Sequence, residues 1–317
     1  MKILVTGATG FIGSALCLRL TSSLQSGLQS GLQSRGHQVV GLVRSNSELS
    51  FPKLSFLKIE INDLTQISPD HLEGVDVVVH TAGMAHQVNV DPVYYQNVNV
   101  DGSVNLANAC VKAGVSRMIS LSSIKAVGEG SVGPQVEAAP KTPYGISKYQ
   151  AELKLAEIQS NSSIDIIQLR IPLTFGSNAK GNFQQLINLT KKPWPLPLSA
   201  LSAKRHYLYI ENLLDFVVHC FTAKIDSNKP LFLADEAPVR FGELLRALSI
   251  AQGRRPFDIP FPNGLLTRSC KRILPAKRYQ QIFHDSFVDS TETFQSCNWK
   301  PKYSTIEGIY QMFGKSI

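Results

Sequence analysis

The tract TGATGFIG, residues 6–13, constrains this chain more than any other part of it. Gly7, Gly10 and Gly13 stand between MKILV, a short apolar run of strand type, and a stretch opening at Phe11 whose apolar residues follow helical spacing. Glycine reaches backbone conformations closed to other residues and lets a second backbone come close. A helix N-terminus presents unsatisfied N–H groups and partial positive charge, which suits a pyrophosphate. In this strand-to-helix context the tract predicts a dinucleotide site formed by Gly7, Gly10, Phe11, Ile12 and Gly13.

The same rhythm continues along the chain. HQVVGLV, LSFLKIEI, GVDVVVHTAG, SRMISLSS and IDIIQLR are short Val- and Ile-rich runs flanked by Gly, Asp or Pro. Such runs suit strands buried on both faces of a parallel sheet. Helical patterns fall between them, notably from Val93 to Ala113 and from Tyr144 to Gln159. The fold expected is α/β, a Rossmann-type doubly wound parallel sheet with a smaller C-terminal substrate-binding domain. Residues 1–170 are expected to form the cofactor domain and 171–317 mainly the smaller one, with chain crossings back to the first. Proline clusters, helical patterns at Glu211–Cys220 and Phe241–Ala251, and a strand at PLFLAD mark the second part. The repeat LQSG LQSG LQSR, Leu24 to Arg35, reads as a tandem expansion of the first crossover without a catalytic role.

Composition narrows the function classes. With 43% apolar and 18% charged residues the 317-residue chain is an ordinary globular one, and domain-scale disorder is excluded. Its formal charge of +8 attracts anions without naming any. No aromatic-basic strand motif and no basic recognition helix is present, so no nucleic-acid partner is expected. The five cysteines are widely spaced, which predicts buried thiols in a reducing compartment and no metal. A strand and turn open the chain, and no apolar run reaches membrane-spanning length. A cytoplasmic protein without integral membrane insertion is expected.

Three further groups carry chemistry. The second strand ends in Arg44 where an acid would face an adenosine ribose. Arginine pairs with a ribose 2′-phosphate, so NADP(H) is expected, with NAD(H) as the alternative. Asp63 is a candidate acceptor for the adenine amino group, and its other reading is a helix N-cap. Ser122 and Ser123 end a strand, and Tyr144 and Lys148 lie four apart on one helix. An ammonium near a phenol favours phenolate, which turns a poor base into a useful one near neutrality.

At this point the chain resembles the extended short-chain dehydrogenase/reductase family, especially its nucleotide-sugar epimerases and reductases. The resemblance rests on TGATGFIG, Asp63-Leu64, HTAG at 80–83, NVDG at 99–102, LSSIKAVGE, YGISK and the late NWKP at 298–301, in the expected order. It implies Tyr144 as catalytic acid/base, Lys148 as ribose-binding helper and Ser123 as the hydroxyl on the reacting oxygen, with Ser122 the competitor for that role. It further implies cofactor contacts from Leu64, Ala82, Gly83, Asn99 and Pro172, with Leu173 beside the last. Asn182 and Arg205 resemble contacts to the sugar and its diphosphate, while His86 and Lys125 are candidates for the sugar pocket. A helix cap is the other reading of Asn182, and a solvated side chain that of Arg205. The ending of HTAG, and Glu292 where lysine is common, depart from the family pattern.

The resemblance implies an enzyme acting on a UDP-linked sugar at C4. SSIKAVGE, GNF and PLPL resemble a UDP-N-acetylquinovosamine 4-reductase subgroup within the family. With Arg44, this leads to the expectation of NADPH-dependent reduction of a UDP-4-keto-6-deoxy-N-acetylhexosamine. The alternative is a UDP-glucose or UDP-N-acetylglucosamine 4-epimerase, and a third reading is a non-catalytic NADP-sensing protein. The family also implies a homodimer through two helices of the large domain.

Overall fold

A computed structural model gives the fold and describes residues 1–26, 38–44, 57–61, 63–84, 91–179, 181–192 and 194–315. The chain divides into two compact units. One holds residues 1–128, 137–170 and 214–231, and the other holds 129–136, 171–213 and 232–317.

In the first unit, strands β1 (Lys2–Thr6), β2 (Gln38–Arg44), β3 (Leu57–Ile61), β4 (Val77–His80), β5 (Arg117–Ser123) and β6 (Asp165–Ile171) alternate with helices. The helices are α1 (Phe11–Ser26), α2 (Pro92–Tyr95), α3 (Gly102–Ala113) and α4 (Pro143–Ser160). The seven-stranded sheet runs in the order Leu231–Phe232, β6, β5, β4, β1, β2, β3. β1 lies parallel to β2 and β4, β2 to β3, and β4 to β5. Strand order therefore reverses between β1 and β4, the switch point beside which doubly wound sheets bind ligands. The apolar runs of these strands supply the core. Leu4, Val78, Met118 and Ile166 are buried with Leu72, Leu106, Cys110 and Leu155.

One expected element differs. The helix read from Val93 to Ala113 is interrupted by a π-helical segment, Gln96–Asp101, between α2 and α3. Asn99 in that segment hydrogen-bonds outside the helix to Met84 and Ser147, a tertiary demand that wins over regular winding. Within PLFLAD, expected as a strand, Leu231–Phe232 forms the outer strand of the large sheet. Most of the LQSG repeat, residues 27–35, lies outside the described residues.

The second unit begins with β7 (Thr174–Phe175), α5 (Asn182–Thr190), β8 (Lys204–Arg205) and β9 (Leu208–Tyr209). Helix α6 (Ile210–His219) and β10 (Leu231–Phe232) cross the boundary between units. β11 (Val239–Arg240), α7 (Phe241–Ala251), α8 (Asn263–Ile273), α9 (Ala276–Phe283), α10 (Thr291–Ser296) and α11 (Thr305–Met312) complete it. Its interior is pinned by Asp235, which accepts from Tyr209 N, Asn212 Nδ2 and Thr305 Oγ1 at 3.0, 2.8 and 2.6 Å. The five cysteines are free thiols, four of them buried and Cys270 half-buried. Among the described residues, no helix is long and apolar enough to cross a membrane.

Candidate active site

The glycine turn after β1 is shaped by contact with the segment after β4. Gly7 has φ +66°, and a Cβ on it would lie 2.8 Å from Ala82 N. A Cβ on Gly13 would lie 2.3 Å from Gly7 O and 2.7 Å from Thr81 Oγ1. Neither position admits a side chain without backbone movement, so the turn stays open against the first turn of α1 at Phe11 and Ile12. Gly83 supplies a second bare stretch, where a Cβ would meet Asn99 Oδ1 at 3.2 Å and Lys148 Nζ at 3.3 Å. Bare backbone, helix N-terminal amides and an ammonium form a cradle that fits a dinucleotide.

His80, at the end of β4, holds that cradle and was not singled out from the sequence. The ring is buried between Thr6 and Ser103, with Nδ1 to Thr6 Oγ1 at 2.8 Å and Nε2 to Ser103 Oγ at 2.9 Å. Ser103 donates its only hydroxyl proton to Asn99 O at 2.6 Å, so Nε2 must donate to Ser103. Nδ1 then accepts from Thr6, whose hydroxyl oxygen in turn accepts from Ala82 N at 3.2 Å. The chain of donors fixes the Nε2–H tautomer and ties the glycine turn, Ala82 and Asn99 together. Burial, helped by Lys148, holds the His80 pKa down at about 3.

Helix α4 carries Tyr144 and Lys148. Pro143 begins it and Thr142 Oγ1 caps it by accepting from Gly145 N at 3.1 Å. A Cβ on Gly145 would stand 2.4 Å from Lys125 O, so glycine is what lets the helix start against the turn after β5. That approach sets Tyr144 in hydrogen-bond contact with Ser123. The Tyr95 ring meets Tyr144 edge-on at 6.1 Å. Lys148 Nζ donates to Leu121 O at 2.9 Å, and burial lowers its pKa to about 8 against the opposing pull of Glu152.

Burial raises the Tyr144 phenol pKa above its usual value, Ser123 pulls it down and Tyr95 pushes it up. The phenol is therefore protonated at neutrality.

Ser122 does not compete with Ser123. Its hydroxyl donates to Glu152 Oε1 at 2.5 Å. Glu152 is buried and paired with Arg170, through Nη2 to Oε2 at 2.7 Å and Nε to Oε1 at 3.1 Å. Sequence reasoning missed both, although Tyr144, Lys148 and Glu152 recur every four residues on α4.

The remaining candidates fall as follows. Asp63 adopts the cap role, accepting from Thr65 N at 2.8 Å. Leu64 is buried in the core, and Arg44 ends β2 with an exposed side chain. Lys125 is half-buried and its backbone N–H donates to Ser123 Oγ at 3.2 Å. His86 lies outside the described residues. In the second unit Pro172 is buried and Leu173 exposed. Asn182 is the first residue of α5 rather than its cap, which is Gly181. Arg205 is half-buried, and its Nη2 donates to Gln280 O and His284 O at 2.8 and 3.0 Å. Its Nε is buried with no hydrogen-bond partner among the described residues. Glu292 is exposed in the first turn of α10.

The fold, the cradle and the Ser123, Tyr144 and Lys148 grouping define a dinucleotide-dependent dehydrogenase/reductase type of protein. The model of the NAD dependent epimerase/dehydratase family matches residues 3–231. A UDP-glucose 4-epimerase of Vibrio cholerae is 30% identical over 322 aligned residues, 98% of this chain and 94% of that one. Among solved structures, the UDP-glucuronic acid 4-epimerase of Bacillus cereus in complex with NAD superposes with TM-score 0.74 at 21% identity, covering 99% of this chain and 98% of that one. The Bordetella bronchiseptica enzyme WbmG in complex with NAD gives TM-score 0.73 at 20% identity, covering 99% and 94%. The chain belongs to the NAD dependent epimerase/dehydratase family and is an enzyme of it.

These findings correct two expectations. The expected NADP(H) gives way to NAD(H), because the family whose model matches residues 3–231 is NAD dependent. Arg44 is exposed at the end of β2, and a charge there does not by itself select a 2′-phosphate. The similarity also supports the extended family as a whole and not the narrower quinovosamine 4-reductase subgroup.

Proposed function

We propose that the protein is an NAD-dependent 4-epimerase of a UDP-linked hexose. The observation that carries this reading is the contact of Tyr144, in the first turn of α4, with Ser123 at the end of β5, with Lys148 one turn further along α4 beside the bare backbone at Gly83. Its support is the full-length similarity to a protein named UDP-glucose 4-epimerase. The reductase reading leaned on NADPH and loses that support with the cofactor.

Ser123 and Tyr144 are set to share the sugar O4, Ser123 by hydrogen bonding and Tyr144 by taking and returning its proton. Lys148 would hold positive charge beside the dinucleotide ribose. NAD, when bound, accepts and returns the C4 hydride. Asn99 and His80 position the backbone under the cofactor, and Arg205, fixed by two carbonyls, is proposed to meet a diphosphate. A homodimer through helices of the large unit is proposed with this activity.

The test gives purified protein UDP-glucose and UDP-N-acetylglucosamine with catalytic NAD and no reductant. Nicotinamide absorbance and sugar products are followed together. Interconversion of gluco and galacto sugars without net redox change is expected, and Tyr144→Phe should abolish it while NAD binding persists. Stoichiometric NADH oxidation by a 4-keto sugar, without interconversion of the hydroxy sugars, would overturn the reading.

A further inference from the structure

The second unit bears a depression of about 450 Å³ at the C-terminal end of α5, the opposite end from Asn182. Two short segments frame it. Leu196 N donates to Phe257 O at 3.0 Å and Ile259 N to Leu196 O at 3.1 Å, which sets the Trp194 segment beside the Phe257 segment. Both aromatic rings stand out from the surface, Trp194 at 58% and Phe257 at 61% exposure. Lys192 lies over the Trp194 ring at 5.1 Å, and Arg254 and Arg255 line the same depression.

Charge is concentrated in this part of the chain. Residues 251–284 hold seven Lys and Arg against one Asp, which is six of the eight net positive charges of the whole chain. That one acid, Asp258, is engaged by Arg246 at 2.7 Å and by Ser199. Helix α8 continues the segment with Arg268, Lys271 and Arg272, and Ile273 at its end is 79% exposed.

We infer that this surface docks the protein onto an anionic phospholipid membrane. Trp is at home at the level of lipid headgroups, and basic side chains beside it add attraction to negative lipid. The combination of protruding rings and clustered cations is that of a peripheral anchor, which lies on a membrane without crossing it. The surface shares no residue with the Ser123, Tyr144 and Lys148 grouping, so the inference stands apart from the proposed reaction.

The full-length protein is mixed with phosphatidylcholine vesicles with and without phosphatidylglycerol, then sedimented. Trp emission is read in the same samples. The chain has two tryptophans and Trp299 is buried, so a change reports on Trp194. Co-sedimentation only with phosphatidylglycerol, release by high salt and a blue shift of Trp194 emission are expected. Arg254→Gln with Arg255→Gln should weaken partition about fivefold per arginine. Trp194→Ala should remove the blue shift. All three side chains are exposed, so circular dichroism and NAD binding should match the parent. Absence of vesicle binding, or partition unchanged in the double arginine variant, would overturn the inference. So would a Trp194 shift produced by a single-stranded oligonucleotide and not by vesicles, which would make this a nucleic-acid surface.

Discussion

Replacing Glu152 by Gln keeps the shape of the side chain and removes its charge. Arg170 is then left in a site where its side chain is only 11% exposed, without the carboxylate that now meets it in two-pronged geometry. Breaking a buried pair from one side costs about 3–5 kcal/mol, because the surviving charge stays desolvated. Unfolding entropy of about 2.1 cal/mol/K per residue gives about 0.7 kcal/mol/K for a chain of this length, so Tm should fall by about 6 °C. A second effect reaches catalysis. Glu152 supports the Lys148 ammonium, whose pKa is about 8. Without that negative neighbour the ammonium is lost at lower pH, and the alkaline limb of kcat/KM should move below pH 8. Urea denaturation and a pH–rate profile read the two effects. The double variant Glu152→Leu, Arg170→Met removes both charges and should recover much of the lost stability. A Glu152→Gln protein within about 0.5 kcal/mol of the parent, the bound for surface changes, would refute the reasoning. A double variant as unstable as the single one would refute it too.

Gly145→Ala should leave the sheet folded and lower kcat by at least about 100-fold, since a displacement near 1 Å at reacting groups costs on that order. Steady-state rates beside circular dichroism check it. ¹⁵N NMR of His80 should show a protonated Nε2 and an unprotonated Nδ1, as the donor chain through Thr6, Ser103 and Asn99 requires. The His80 pKa near 3 is depressed below its ordinary 6.5, so its stability contribution is complete above pH 6.5 and is lost as pH falls towards 3. Acid titration of Tm should therefore slope less steeply over that window in His80→Asn than in the parent.

The glycine turn and the Tyr144 and Lys148 pair were legible because each is a local spacing, and the alternation of strands and helices was enough to give the doubly wound sheet. Contacts between distant segments were not. His80 meets Thr6 across 74 residues and Ser103 across 23, and nothing in HTAG alone says which tautomer such neighbours impose. Arg44 misled because a charge at a strand end says nothing of the pocket around it. The residues that follow it, 45–56, lie outside the described set. Glu152 is a different case, since its role follows from rules already in hand. Helix α4 has no clean apolar stripe: Ser147 and Glu152 are buried in it alongside Ala151 and Leu155. A carboxylate one turn beyond Lys148 on the buried side needs a counter-charge from another element. The next strand, DIIQLRI, offers a single cation, Arg170, and that is the partner it takes. A buried polar residue in register with Tyr144 and Lys148 is thus a readable demand, and the strand that answers it can be found by its charge.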